Sequence, residues 1–420
     1  MAGRTPPPER LLDARDKSFP PSAAGLSVAE FLARAPSLDE FTTPLLTLDD
    51  RALRNNLAVM AGWIAERGFE LMPHGKTTMA PALWFRQLAA GATGITVATP
   101  WQARVALTAG VPVVLLANEL VDPVGLGWIA AHLRTHPEQT LLCWADSLDA
   151  VEIMERTLAG LGDARPLDVL VELGGAGGRT GARGIAAATA IADRVAASPR
   201  LWLHGVAGYE GALGHDRTPE SVAGIRAYLA SLAELHRRLA DRFETDRPIV
   251  SAGGSAFPDV VAEVLGPLAG GRARVVLRSG AYLTHDSGYY ARTSPLALPD
   301  AGQPRLLPAS WGLARVLSRP EPGLALLDGG KRDFPYDDGL PVGVAWRDSP
   351  GGAERPLPDL AVRAMNDQHA FLATTGAELP IGAVVRLGLS HPCTAFDKWR
   401  LIPVVDPGSG LVVDVVETHF

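Results

Sequence analysis

With 420 residues, 47% of them hydrophobic, the chain exceeds one ordinary domain and suits a barrel of roughly 250 residues plus a second domain. A net charge of −7 without a long basic run excludes nucleic acid and anionic membrane surfaces as partners. Two cysteines, Cys143 and Cys393, exclude a disulfide framework. Neither a signal-like start nor an apolar run of about 18 residues is present, so a cytoplasmic, non-membrane protein is expected.

Residues 1–42 read as a polar, proline-rich lead-in with a short helix near Ser27–Ala35, partly associated with the C-terminal domain. A helix over Leu48–Arg67 then leads into the apolar run Phe69–Pro73. Seven further runs follow: Gly94–Thr99, Val113–Asn118, Leu141–Asp146, Leu167–Leu173, Leu201–Tyr209, Pro248–Gly254 and Ala273–Gly280. Between them lie segments of helical periodicity such as Ile185–Ala197 and Val222–Arg242. Short apolar runs alternating with helices are the pattern of parallel strands covered on both faces. Eight such runs predict an α/β fold, a (β/α)8 TIM barrel over residues 43–300, with an open doubly wound sheet as the alternative. Beyond residue 300 the helical period disappears, and short β-type runs (Trp311–Leu317, Leu324–Leu327, Pro341–Trp346, Ala383–Leu389, Leu411–Val416) predict an antiparallel β domain over 301–420.

Barrels place function at the C-terminal ends of their strands. There the sequence puts Lys76 after the first strand, and Gly253, Gly254, Ser255 and Gly280 with Tyr282 after the seventh and eighth. Glycine clusters after the last strands let backbone N–H groups approach a phosphate. Lys76 alone reads equally as a solvated rim charge. Beside a phosphate cradle, it suits a cofactor that is both aldehyde and phosphate, pyridoxal 5′-phosphate (PLP) bound as a Schiff base. In the β domain, His391 and Cys393 lie two residues apart and can meet one divalent cation, for which imidazole plus thiolate favours zinc. A packed cysteine beside a hydrogen-bonded histidine is the alternative.

In order, Pro73-His74-Gly75-Lys76-Thr77, Arg179-Thr180-Gly181, Ser251-Ala252-Gly253-Gly254, Gly280-Ala281-Tyr282 with Asp286, and Ser390-His391-Pro392-Cys393 occur. This series resembles the D-threonine aldolase and eukaryotic-type D-serine dehydratase family, fold-type III PLP enzymes with an alanine racemase-like barrel. The resemblance implies PLP on Lys76, its phosphate among Gly253, Gly254, Ser255, Gly280 and Tyr282, and Tyr209 near the pyridine ring. It also implies Arg179 among the cofactor contacts and a divalent metal on His391 and Cys393. The chain departs from the family at Met72, Thr78, Asp367-Gln368-His369 and Thr394–Trp399, positions that bear on substrate more than cofactor. A cysteine as second ligand favours dehydratase-like elimination from a D-β-hydroxy amino acid, giving a 2-oxo acid and ammonia with zinc. Aldolase-like cleavage to glycine and an aldehyde, with manganese or magnesium, is the alternative. Racemisation and non-catalytic PLP binding stand behind both. A head-to-tail homodimer is expected by analogy with fold-type III enzymes.

Overall fold

The computed structural model describes residues 10–162, 165–298, 304–374 and 379–420; the first nine residues of the lead-in and the expected domain boundary at 300 lie outside the described residues. Side-chain caps set the alternation. Asp49, Thr99, Asp122, Ser147 and Thr218 each accept a backbone N–H in the first turn of a helix, and Pro100, Pro123 and Pro219 open three of those helices.

Strands β1 (Leu45–Asp49), β2 (Glu70–Leu71), β3 (Ile95–Val97), β4 (Val113–Glu119), β5 (Thr140–Ala145), β6 (Leu167–Gly174), β7 (Ala182–Arg183), β8 (Leu201–Gly208), β9 (Ile249–Ala252) and β10 (Arg274–Leu277) precede residue 300. All but β1 join one parallel sheet, in the order β2-β10-β9-β8-β6-β5-β4-β3, with the short β7 beside β6. Its ends meet. Thr93 N–H donates to Leu71 O at 2.8 Å and Thr96 N–H to Pro73 O at 2.9 Å, joining the β2 and β3 regions and closing an eight-stranded barrel. Inward alternation fills the bore with Met72, Leu115, Leu142, Trp144, Leu170, Ala207, Ile249 and Val276.

The second sheet uses both ends of the chain. Strands β11 (Ser310–Glu321), β12 (Leu324–Leu327), β13 (Val342–Arg347), β14 (Arg355–Met365), β15 (Ala370–Ala373), β16 (Val384–Gly388), β17 (Leu401–Val405) and β18 (Val412–Glu417) form it together with β1. Pairing of β12 with both β15 and β11 closes six of these strands into a ring, and β1, β17 and β18 extend it from β11. This corrects the expected start of the barrel at residue 43. β1 pairs antiparallel with β11 and parallel with β17, so the first barrel element is the helix Asp50–Glu66. β1 is apolar and buried along Leu45–Leu48, a pattern that looks the same in a barrel strand and in a covered strand of the other sheet. The lead-in also lies on the β domain: Ser37 bridges Leu411, and Lys17 Nζ meets Asp333 Oδ1 at 3.0 Å. Strands β14, β15 and β17 fall outside the sequence-based set, because Pro356, Pro358 and Pro403 or a four-residue length obscure them.

After the last barrel strand the chain turns into the β domain. Ser287 N–H donates to Leu389 O at 2.9 Å and Tyr289 N–H to Ser390 O at 3.0 Å. These bonds lay the Leu389–Cys393 segment across the mouth of the same chain's barrel. Among the described residues, no helix is long and apolar enough to cross a membrane.

Candidate active site

A cavity of about 480 Å³ opens at the C-terminal end of the barrel, and Lys76, Arg179, Tyr209, His391 and Cys393 all line it. Lys76 sits on a 3-10 turn, Gly75–Thr77, directly after β2. Burial lowers its pKa, and the guanidinium groups of Arg179 and Arg278 add to the effect against the opposing pull of Cys393. The amine is therefore easier to hold neutral than a surface lysine. His74, two residues earlier, is held well below the usual imidazole range by burial and by Lys76, Arg278 and Arg179. Its Nδ1 is buried without a hydrogen-bond partner among the described residues.

Tyr209 ends β8 and leans on Gly253, where a Cβ would come within 2.6 Å of the ring; the Arg179 guanidinium lies 4.5 Å from the ring centroid on the cavity side. Burial and the neighbouring Glu210 push the Tyr209 phenol up to about 12, so it remains a neutral hydroxyl. Arg278, 3% exposed, donates to Ser251 Oγ at 2.6 Å and Gly208 O at 2.7 Å and lies 4.8 Å from the Trp144 ring centroid. The sequence reading assigned no role to His74 or Arg278. Their signal was position: each lies on a strand end two residues from a residue already singled out.

The glycine loops divide. The N–H groups of Gly253 and Gly254 both donate to the carboxylate of Glu210, which is 1% exposed. Those two donors are therefore already used. The Tyr282 side chain points away as well, its hydroxyl accepting from Gln87 Nε2 at 3.1 Å. Ser255, Gly280 and Ala281 line the cavity, and among the described residues their amides meet no acceptor. Gly280 is needed for close approach, because a Cβ there would collide with the carbonyl of His74. The donor set that fits a phosphate is thus narrower than the sequence suggested: the Ser255, Gly280 and Ala281 backbone, with the Ser255 hydroxyl.

Opposite, His391 and Cys393 line the cavity together, and the Cys393 Sγ lies 3.5 Å from Thr77 Oγ1. His391 Nδ1 meets Asp337 Oδ2 at 2.8 Å and Asp338 Oδ2 at 3.2 Å. Burial opposes a charge on this imidazole, but the neighbouring Cys393 and Asp337 outweigh it and raise the pKa to about 9. Imidazole and thiol on one cavity wall are donors that suit a soft-to-borderline divalent cation, and Asp337, Asp338 and His391 bring ligand atoms within 4.8 Å of one another. Asp286, the aspartate that follows Gly280-Ala281-Tyr282, accepts N–H bonds from Gly288, Tyr290 and Ala291. It thereby shapes the turn that carries Tyr290 into the cavity.

A further group was not anticipated. Glu119, Asp146 and Glu172 continue the inward alternation of Leu115, Leu142-Trp144 and Leu170 at the top of three neighbouring strands. One carboxylate oxygen from each lies within 4.8 Å of the others. Burial and the charges of Glu172 and Asp146 push Glu119 up to about 8, so this cluster holds a proton at neutral pH. The signal in the sequence was a carboxylate in phase with the bore at the end of three consecutive strands.

The chain matches known proteins over nearly its whole length. It is 29% identical over 381 residues to a D-threonine aldolase from Arthrobacter, covering 89% of this chain and 91% of that protein. The crystal structure of D-threonine aldolase from Filomicrobium marinum superposes with a TM-score of 0.75 at 26% identity, covering 91% of this chain and 96% of that one. The chain is thus similar along nearly its whole length to D-threonine aldolases, and its barrel has the alanine racemase-like fold. Residues 309–405 match the model of the "Putative serine dehydratase domain". D-threo-3-hydroxyaspartate dehydratase from Delftia shares the fold, with a TM-score of 0.70 at 22% identity over 91% of this chain and 99% of that one. The matched proteins include aldolases and a dehydratase of D-hydroxy amino acids.

Proposed function

We propose that this chain is a PLP- and metal-dependent lyase of D-β-hydroxy amino acids. The observation that carries the proposal is the shared cavity: Lys76 from the barrel and the His391–Cys393 pair from the β domain line one space. Amine chemistry at an α-carbon and metal chemistry at a β-oxygen thereby come within reach of one small substrate.

Lys76 would hold the PLP aldehyde through Nζ, and the amides of Ser255, Gly280 and Ala281 would take the phosphate. Tyr209, backed by Gly253, flanks the space between them. When bound, PLP supplies an electron sink for charge at Cα, and the divalent cation supplies Lewis acidity at the β-oxygen. The remaining work belongs to the chain. With its lowered basicity, Lys76 Nζ is the group placed to take a proton at Cα and to return it. His74 keeps a neutral imidazole beside Lys76 and adds no further positive charge. His391 and Cys393 would hold the cation, and the β-domain segment that carries them covers the mouth against water.

Imidazole with thiolate prefers zinc over magnesium, which supports dehydratase-like elimination to a 2-oxo acid and ammonia. The serine dehydratase match over 309–405 includes both ligands. Retro-aldol cleavage is the second reading, supported by identity to D-threonine aldolase over 89% of the chain. A panel of D-serine, D-threonine and D-threo-3-hydroxyaspartate, assayed for ammonia and 2-oxo acid against aldehyde and glycine, separates the two. Activity on none of them, in protein loaded with PLP and zinc or manganese, removes the lyase proposal.

A further inference from the structure

Asp337 lies on the loop between β12 and β13, more than fifty residues before His391 in sequence. Both of its carboxylate oxygens are in use. Oδ2 lies 2.8 Å from His391 Nδ1, and Oδ1 accepts from Thr394 Oγ1 at 2.6 Å. One carboxylate thus grips the residues on either side of Cys393, across the short turn Pro392–Thr394. The loop is itself anchored to the same segment, since Ser390 Oγ donates to Gly339 O at 2.6 Å.

Resting on the reading of His391 and Cys393 as metal ligands, we propose that Asp337 is the positioning residue of this site. It accepts the Nδ1 proton of His391, which fixes the tautomer and leaves Nε2 as the nitrogen available to a cation. A carboxylate on the far nitrogen also strengthens the imidazole as a donor to a metal. Through Thr394 it sets the turn that aims the thiol at the same point. Asp338 lies 3.2 Å from the same Nδ1 but makes no bond to Thr394, so it contributes charge and no comparable grip. Asp337, Asp338 and His391 also bring ligand atoms within 4.8 Å of one another, but the engagement of both Asp337 oxygens by His391 and Thr394 favours the positioning role over ligation.

The test measures metal affinity in the full-length holoprotein by zinc competition against a chromogenic chelator. Cobalt substitution reports the ligand set. Asp337→Ala is expected to weaken zinc binding roughly 10–100-fold, with one ion still bound per chain and the thiolate-to-cobalt absorption still present. Asp337→Asn, whose amide oxygen still accepts from Nδ1, is expected to recover part of that loss. Visible absorption of the Lys76-bound cofactor checks that each variant is folded, and the asparagine variant serves if the alanine variant is not. Unchanged zinc affinity in both variants overturns the proposal. A cobalt spectrum showing a lost ligand in Asp337→Ala overturns it too, by making Asp337 a ligand. Wild-type protein that binds no zinc would instead overturn the metal reading on which the inference rests.

Discussion

Thr77 Oγ1 and Cys393 Sγ stand 3.5 Å apart, although 316 positions separate them in the chain. Thr77 belongs to the turn after the first barrel strand and Cys393 to the β domain, so this contact marks where the two halves of the site meet. His391 and Cys393 thereby line the same cavity as Lys76 within one chain.

If Lys76 holds PLP, purified protein absorbs in the visible and loses that band on borohydride reduction, with the label on the Lys76 peptide. Lys76→Ala should lower turnover by about 10³-fold or more while leaving the fold intact. A label on another lysine would refute the assignment.

Ser255→Ala should weaken retention of PLP on dialysis several-fold without a large loss of thermal stability, because Ser255 lines the cavity and its amide remains in place. Gly254 is a poorer probe. Its φ is +77° and a Cβ would strike Leu277, so a substitution there disturbs the fold along with any phosphate contact. Wild-type cofactor retention in Ser255→Ala would shift the phosphate assignment to the Gly280–Ala281 amides alone.

Cys393→Ala should abolish zinc binding and lyase activity while the visible PLP band survives, since the thiol is on the β domain and the lysine on the barrel. A chelator should reproduce the phenotype in wild type. Because binding a thiolate releases a proton, zinc occupancy should also fall as pH falls. Full activity in metal-free protein would eliminate both the dehydratase and the aldolase readings.

Glu119 predicts a pH dependence of stability. Its folded pKa is raised to about 8 by burial and by Glu172 and Asp146, whereas an unfolded glutamate ionises near 4.3. Between those values the folded chain binds more protons than the unfolded one, so stability is full below the lower value and declines as pH rises towards 8. Glu119→Gln copies the neutral carboxyl and should flatten that decline in thermal melts between about pH 5 and 9. An unchanged slope in the variant would show that the proton resides elsewhere in the cluster.

Much of the fold was legible in the sequence, for a physical reason. Parallel strands covered on both faces must be apolar throughout, and the eight runs from Phe69 to Gly280 announce themselves by that alone. Lys76, the glycine loops and the His391-Pro392-Cys393 spacing were legible because their chemistry is tied to residue type and to short distances along the chain. Tertiary structure decided what depends on distant partners. It took β1 out of the barrel and into the other sheet through pairing with β11 and β17. It spent the Gly253 and Gly254 amides on Glu210 and turned the Tyr282 hydroxyl to Gln87, leaving Ser255, Gly280 and Ala281 as the free donors. It gathered Glu119, Asp146 and Glu172 from three strands and joined Asp337 to His391. Such contacts follow from strand order and loop path, which no local pattern encodes. The sequence by itself therefore determined the barrel, the lysine and the ligand types, while the closed chain alone decided which donors are free and which domain covers the mouth.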